Sequence, residues 1–297
     1  MIIKEITTET QNTTETQRQF FTRFFLCLCG ISVFLWCGCS SLSRHQKYPV
    51  PPGLQTKPVE LKQPNTTLRV GEKLTYTVRW LAVPVGTITI WVKEKTFWQG
   101  RESYHLVADG QANKFLSTFY KVTDHYESYW DVEGRFSRRF EKKVQQRKYH
   151  ANEVMSYDSD QKKAIYYAVE KNETKHYTIP GPVQDPLSAV YYFRTSIDPP
   201  DQKTQFLFNA DEKNWEVQVQ HLEQGILEVR NLGVFEAFLV EPTTKRIDSS
   251  DSKERKEKPS KVRVWIWFSA DERRLPLLIR ISAALVGEVS VQLEAIE

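Results

Sequence analysis

Residues 74–80, Leu-Thr-Tyr-Thr-Val-Arg-Trp, decide the fold class of this chain. The even-numbered residues are apolar, and the odd-numbered residues are polar or charged. A period of two is typical of a β-strand that has one face on a core. The same alternation recurs in four further stretches, which are 87–93, 215–220, 262–268 and 287–293. The pattern therefore indicates a β protein.

More strand-like runs follow one another closely along the chain. They lie near 103–109, 124–131, 136–147, 163–170, 174–179, 205–209, 225–230, 234–240 and 277–282. Parallel strands need crossover connections of about a dozen residues or more, and such short spacings leave no room for them. The spacing therefore predicts antiparallel connections throughout.

Several of these strands are apolar on both faces. Trp91 lies opposite Ile88 and Ile90, and Trp265 lies opposite Val262 and Ile266. An antiparallel sheet with one face in water does not need this pattern. Either helices and loops cover the second face, or the sheet curls around an apolar cavity. We expect a mainly β fold, with a single antiparallel, strongly curved sheet or open barrel and one short helix packed on it.

The helix is predicted in the run from Gln184 to Arg194. Asp185 can accept hydrogen bonds from the free N–H groups of the first turn, and Pro186 suits the first helical position. Leu187 and Tyr191 then belong to one apolar stripe. Ser188 is expected to form a local hydrogen bond near Asp185 rather than to act as a nucleophile. A weaker helix candidate covers residues 114–121.

The N-terminal segment is predicted to be a targeting signal. Residues 24–38 form an uncharged apolar run of fifteen, which is short for a membrane-spanning helix and is typical of a secretory signal. Cys39, between Gly38 and Ser40, resembles the lipid-modified cysteine of a bacterial lipobox, so residues 1–38 would be cleaved and Cys39 would carry fatty acyl groups such as palmitate. An uncleaved anchor is the alternative. Both readings place residues 40–297 outside the cytoplasmic membrane, and we expect the outer membrane, facing the periplasm.

Residues 39–66 are predicted to be the lipidated cysteine and a proline-rich tether, and residues 67–297 the β domain. The four cysteines all precede this domain, at positions 27, 29, 37 and 39. The β domain therefore has no disulfide framework and no cysteine-based zinc site.

The chain offers little sign of catalysis. No nucleophile elbow, zinc-protease, P-loop or dinucleotide motif is present, and no two of the six histidines are three or four residues apart. Glu127 and Asp131 are polar neighbours on a predicted strand, but they would lie about 13 Å apart, too far for paired acid–base carboxylates. We therefore expect no metal, no cofactor and no catalytic residue.

Charge excludes one class of partner. The net charge of +4 is too small to indicate nucleic-acid binding. The polar run 245–261 is expected to be a solvated loop, with contact to phosphate head groups as the alternative.

Five motifs resemble, in order, the bacterial domain-of-unknown-function family 3108. They are the segments from Gly71 to Tyr76, from Phe119 to Ser128, from Phe140 to Lys143, from Gln184 to Arg194 and from Trp267 to Pro276. The resemblance spans about residues 68–297. It implies an envelope-facing, mainly antiparallel β domain that is often secreted or lipid-anchored, and it implies no activity.

These observations lead to three hypotheses for function. The first is a non-enzymatic envelope lipoprotein that binds a hydrophobic or amphiphilic molecule inside the curved sheet. Its candidate ligand-binding residues are Trp80, Trp91, Tyr120, Tyr126, Trp130, Tyr191, Arg194 and Trp265. The second is a scaffold that binds another envelope protein. The third is a hydrolase whose site is assembled from several strands.

Overall fold

The computed structural model describes residue 48 and residues 50–196, 204–247, 262–283 and 287–297. The predicted signal peptide, Cys39 and most of the charged run 245–261 lie outside the described residues. Residues 245–247 of that run belong to a strand. None of the described helices is long and apolar enough to cross a membrane.

The described chain forms one antiparallel sheet of fifteen strands, with two helices. The strands are β1 (Gln55–Thr56), β2 (Lys73–Trp80), β3 (Val83–Trp98), β4 (Arg101–Ala112), β5 (Val122–Asp131), β6 (Ser137–Gln146), β7 (Tyr149–Asp158), β8 (Lys163–Ala168), β9 (Glu173–Thr178), β10 (Thr204–Ala210), β11 (Lys213–Val229), β12 (Gly233–Ile247), β13 (Val262–Ser269), β14 (Pro276–Ala283) and β15 (Gly287–Ile296). The helices are α1 (Lys114–Ser117) and α2 (Ser188–Ser196).

The sheet is open rather than closed into a barrel. Its order runs β1-β11-β12-β13-β14-β15-β2-β3-β4-β5-β6-β7-β8-β9, and β10 also pairs with β11. All of these strand pairs are antiparallel. The expected antiparallel open architecture is therefore confirmed.

The two ends of the sheet meet at a seam between β9 and β10. Among the described residues, side chains rather than backbone pairing join these two strands. The Tyr177 hydroxyl of β9 donates to Asn209 Oδ1 of β10 (2.9 Å), and Asn214 Nδ2, at the start of β11, donates to the carbonyl of Thr178 of β9 (2.8 Å). A short parallel bridge between Gln184 and Phe208 attaches the segment before α2 to β10. The sheet thus curls almost fully round without completing the ladder.

The chain already contacts the sheet before residue 67, where the sequence predicts that the β domain begins. β1 pairs with Gly225 and Ile226 of β11, and the chain then crosses one end of the sheet. Its backbone N–H groups donate in turn to Gln224, Ala270, Glu272 and the hydroxyl of Tyr104. Prolines in this stretch suggested a free tether, but these hydrogen bonds tie residues 57–68 to the domain.

Some strand boundaries also differ from the expected ones. The runs 215–220 and 225–230 are parts of one long strand, β11, because the register shift at His221 interrupts the alternation without ending the strand. β7 was not expected, although Ala151, Met155 and Tyr157 are buried on one face of it.

Candidate functional site

Helix α2 lies against one face of the sheet, which we call the inner face. Phe193 of α2 packs on Phe268 of β13, with ring centroids 4.7 Å apart. Trp130 of β5 donates its indole N–H to Gln184 just before the helix (3.1 Å). These contacts place the helix against two distant strands of the inner face.

Asp185 holds the beginning of α2. Its Oδ1 accepts hydrogen bonds from the backbone N–H groups of Leu187 (2.7 Å) and Ser188 (2.8 Å), which is the capping arrangement that the sequence predicts. The Ser188 hydroxyl accepts from the backbone N–H of Asp185 (2.9 Å), as expected of a local partner. Ser128 of β5 donates to Asp185 Oδ2 (2.6 Å), so the cap also ties the helix to the sheet.

The Asp185 carboxyl is fully buried, and this burial raises its pKa. The donated hydrogen bonds favour the ionised form and oppose the rise. Every described contact of Asp185 is therefore explained by fixing α2, and none of them leaves an oxygen directed at a substrate.

The last turn of α2 carries a buried ion pair. Arg194 Nη1 and Nη2 donate to the two carboxylate oxygens of Glu72, at 2.6 and 3.0 Å. Nε and Nη2 also donate to the carbonyl of Arg273, both at 3.2 Å. Burial lowers the pKa of Arg194, but the hydrogen bonds and charge of Glu72 outweigh this and raise it. The guanidinium is therefore charged, and Glu72 neutralises it.

Two tyrosine hydroxyls beside this ion pair have no hydrogen-bond partner among the described residues. They belong to Tyr76 of β2 and Tyr191 of α2, and both side chains are fully buried. Burial is the main cause that raises the pKa of each phenol, so both groups stay protonated and able to donate. We call Glu72, Tyr76, Tyr191 and Arg194 the inner polar site.

A second charged cluster lies on the inner face near the seam. Lys142 of β6 pairs with Glu153 (3.1 Å) and with Asp211 of the β10–β11 turn (3.8 Å). Burial lowers the pKa of Lys142, but the two carboxylates outweigh it and raise the pKa, so the amine is charged. This cluster spans the seam and connects the two ends of the sheet electrostatically.

The eight predicted ligand-binding residues are divided by the sheet. Tyr126 and Trp130 of β5 and Tyr191 and Arg194 of α2 are buried at the inner face. Trp80 shares the face of Tyr76 but is only partly buried at the end of β2. Tyr120 is buried just before β5.

The other two predicted residues, Trp91 and Trp265, do not belong to the inner face. The pair Val92–Leu106 lies on the inner face, because Leu106 pairs in turn with Ser128, which lies there. Trp91 pairs with Val107, one residue along each strand, and therefore lies on the opposite face. Trp265 pairs with Arg280, on the face opposite Ile266. Alternation along a strand therefore directs both indoles to the outer face, away from the inner polar site.

Sequence reasoning missed Glu72 and Tyr76. Tyr76 carried a usable signal, because it lies on the apolar face of 74–80, but a phenol there looks like ordinary core. Glu72 carried no sequence signal of this kind, since its partner Arg194 is 122 residues away.

The polar residues of β5 divide between the two faces of the sheet, and His125 and Glu127 belong to a row of side-chain contacts on the outer face. His105 faces Glu94 (3.3 Å) and Glu127 (2.7 Å), and His125 faces Glu127 (2.9 Å) and Asp109 (2.6 Å). Both nitrogens of each ring are thereby engaged by carboxylates. Among the residues described, no group of three or more His, Cys, Asp or Glu side chains could hold a metal ion. The geometry indicates a structural row of charges.

Comparison with known proteins gives a family and a fold. Residues 75–294 match the family model described as "Protein of unknown function (DUF3108)". A β-barrel-like protein of the domain of unknown function DUF1849, from Brucella abortus, is similar in structure with a TM-score of 0.51 at 9% identity. The similarity covers 80% of this chain and 98% of that one. No curated protein matches the chain.

Two further solved structures have lower scores. An exported protein of Bacteroides fragilis with a YmcC-like fold has a TM-score of 0.34 at 8% identity, over 80% of this chain and all (100%) of its own. A lipoprotein of Parabacteroides distasonis has a TM-score of 0.35 at 8% identity, over 81% of this chain and 100% of its own. The Brucella abortus similarity supports the barrel-like fold.

Proposed function

Because the chain belongs to the DUF3108 family, whose function is unknown, we propose a function from its inner face: a non-enzymatic envelope lipoprotein that binds a hydrophobic or amphiphilic molecule. The molecule lies between α2 and the curved sheet, with a hydrogen-bond acceptor at the inner polar site. The proposal rests on one observation: the described part of the chain offers no hydrogen-bond partner to the phenol hydroxyls of Tyr76 and Tyr191.

Buried donors without partners are costly. A buried hydroxyl that has lost its partner costs about 1–3 kcal/mol, and proteins rarely retain two such groups side by side. A ligand oxygen placed between Tyr76 and Tyr191 would satisfy both. Since Glu72 already neutralises Arg194, the site favours an uncharged acceptor, such as an ester or amide carbonyl, over a free anion.

The surroundings suit the apolar part of such a molecule. Tyr126 and Phe140 stack on the inner face with ring centroids 6.1 Å apart, and Phe193 and Phe268 pack beside α2. These side chains are buried and aromatic, so an acyl or isoprenoid chain between them would be removed from water at about 0.8 kcal/mol per CH₂ group.

The seam supplies a route to the inner face. Parting β9 from β10 would break side-chain contacts such as Tyr177–Asn209 and leave every described ladder of backbone hydrogen bonds intact. A molecule could therefore enter sideways with less disruption than at any pair of neighbouring strands.

The proposed location follows from the N-terminal sequence. A lipid on Cys39 would hold the domain at a bacterial membrane, and we propose the periplasmic face of the outer membrane. The protein then has a membrane partner through its anchor and a lipid or amphiphile as its ligand.

Mass spectrometry of residues 40–297, exported to a bacterial periplasm and purified without detergent, tests the proposal. The native mass is compared with an organic extract of the same sample. We expect a stoichiometric lipid in the wild type and its loss in the double variant Tyr76→Phe/Tyr191→Phe. Tyr167→Phe, which removes an exposed hydroxyl contact with Asn172, is the matched control.

Stability of the same variants separates a ligand from trapped water. Removing two unsatisfied hydroxyls should leave the ligand-free protein as stable as the wild type or more stable. If the wild type carries no lipid, rebinds none from the extract of its host, and loses stability in the double variant, water satisfies the hydroxyls and the carrier proposal is wrong.

The edge of β9 at the seam, which contacts its neighbour through side chains alone among the described residues, favours the scaffold as a second candidate. Five of its six residues are exposed, and among the described strands only β8 pairs with it. Such an edge can accept a strand from another envelope protein. Crosslinking in cells from position 174 should then recover a protein partner, and recovery of lipid alone would exclude this candidate.

A further inference from the structure

Four large apolar side chains are exposed together at one end of the sheet. Leu81 and Val83, in the turn between β2 and β3, are 60% and 57% exposed. Phe115 and Phe119, in and just after α1, are 73% and 70% exposed. Phenylalanine is seldom left so open to water in pairs, and exposed apolar clusters commonly mark interaction sites.

Contacts between neighbouring loops make these side chains one surface. Asn113 donates its side-chain N–H to the carbonyl of Pro84 (2.7 Å) and its backbone N–H to that of Val85 (2.9 Å), which joins the α1 loop to the β2–β3 turn. Arg147 donates its backbone N–H to the carbonyl of Lys121 (2.9 Å), which adds the β6–β7 turn. We call residues 81–85, 113–121 and 147–148 the α1 rim.

The α1 rim is basic. It contains Lys114, Lys121, Arg147 and Lys148 and no acidic residue. All four side chains are exposed, and none forms an ion pair with another described residue. The surface therefore combines protruding aromatic rings with a positive border.

We propose that the α1 rim docks onto the surface of a membrane that contains anionic phospholipids. The two phenylalanines enter the boundary between head groups and acyl chains, while the four basic side chains contact lipid phosphates. The proposal concerns a surface distinct from the inner polar site, and it stands whether or not that site holds a ligand.

The residue types favour a bilayer over a protein partner. Lysine is depleted from protein–protein interfaces, where its desolvation is unfavourable. At a membrane surface, lysine and arginine can keep their charges among the head groups while aromatic rings reach below them. Each basic residue near an anionic surface contributes about 1 kcal/mol.

An exposed phenylalanine at the other end of the sheet provides a matched control. Phe97, in the β3–β4 hairpin, is 75% exposed. Its neighbourhood has both signs of charge, since Lys95 pairs with Glu102. Equal exposure without a basic border should not produce docking.

Photocrosslinking from these positions in the full chain tests the proposal. A photoreactive phenylalanine replaces Phe115, Phe119 or, as the control, Phe97, and the chain is reconstituted in vesicles of equal parts phosphatidylethanolamine and phosphatidylglycerol. We expect lipid adducts from positions 115 and 119 at about tenfold or more above those from 97, because burial of one phenylalanine side chain corresponds to at least that factor.

The basic residues are tested with the photoreactive group at Phe119. Replacing Lys114, Lys121, Arg147 and Lys148 with glutamine should lower adduct formation at least about tenfold in the phosphatidylglycerol vesicles and leave it unchanged in pure phosphatidylcholine. Equal adducts from 97 and 119, adducts between two copies of the chain in place of lipid, or indifference to the charge change would each overturn the proposal.

Discussion

Replacing Arg194 with methionine should destabilise the protein mainly by leaving Glu72 buried without its partner. The guanidinium donates two hydrogen bonds to that carboxylate and two to the carbonyl of Arg273, and both charged groups are almost fully buried. Breaking a buried pair from one side costs about 3–5 kcal/mol, a large part of the roughly 5–15 kcal/mol that stabilises a domain.

The double variant Arg194→Met/Glu72→Leu distinguishes the cost of an orphaned charge from the worth of the pair. With both charges gone, apolar side chains of similar size fill the site, and the loss should be smaller than in either single variant. The control is the exposed pair of Glu297 and Lys73, the residue that follows Glu72 in the chain, and Lys73→Met should cost less than about 1 kcal/mol.

Urea unfolding followed by tryptophan fluorescence measures all four variants against the wild type. The Arg194→Met midpoint should fall by about 1–2 M, and the double variant should recover part of that shift. A loss below about 1 kcal/mol for Arg194→Met, or a double variant whose loss equals the sum of the two single losses, would refute the reasoning, because the charges would then be solvated or uncoupled.

Three further predictions concern the cap, the outer face and the N-terminal segment. Asp185→Asn keeps an acceptor for the two backbone N–H groups and should cost less in thermal unfolding than Asp185→Ala, which should lose about 1–2 kcal/mol; equal losses would mean that α2 is not capped there. Burial lowers the pKa of His125, but its two carboxylate partners raise it above 6.5, so its stabilising contribution is full below about pH 6.5 and is lost as pH rises through the folded-state pKa. His125→Gln should therefore flatten the fall in stability measured from about pH 6 to about pH 8, and an unchanged profile would contradict the ion-pair geometry. A Cβ at Gly225 would lie 2.5 Å from the carbonyl oxygen of Gln55, so Gly225→Ala should speed hydrogen exchange in residues 57–65, whereas Gly181→Ala, with only an ordinary contact at 3.9 Å, should not.

The sequence could predict what depends on neighbours in the chain. Alternation at 74–80 indicates a strand, and Asp185 followed by Pro186 indicates the start of a helix, because both signals are local. Trp91 and Trp265 show the limit of that reasoning. Alternation tells that each indole opposes its neighbours, but which face becomes the inner one depends on how the whole sheet curls.

Local sequence patterns could not predict the inner polar site either, because its residues are brought together by the curl of the whole sheet. Glu72 and Arg194 meet only because the curled sheet brings the beginning of β2 against the end of α2. The proline-rich stretch shows a further limit of local reasoning. Proline excludes regular pairing, yet residues 57–68 use isolated N–H groups to bind Ala270, Glu272 and Tyr104 without forming a strand.

The two proposed membrane contacts constrain each other through the length of the chain between them. A lipid on Cys39 leaves residues 40–54 before β1, and a proline-rich segment of that length spans at most about 46 Å. β1 pairs with β11 at Ile226, and β11 extends back to Lys213, about 43 Å away along an extended strand, toward the end of the sheet that carries the α1 rim. Leu54 donates its backbone N–H to the carbonyl of Pro51 (3.3 Å), so residues 51–54 turn against the domain and the stretch that remains is shorter than the path along β11. Contact of the anchor and the rim with one bilayer therefore requires the sheet to tilt toward the membrane.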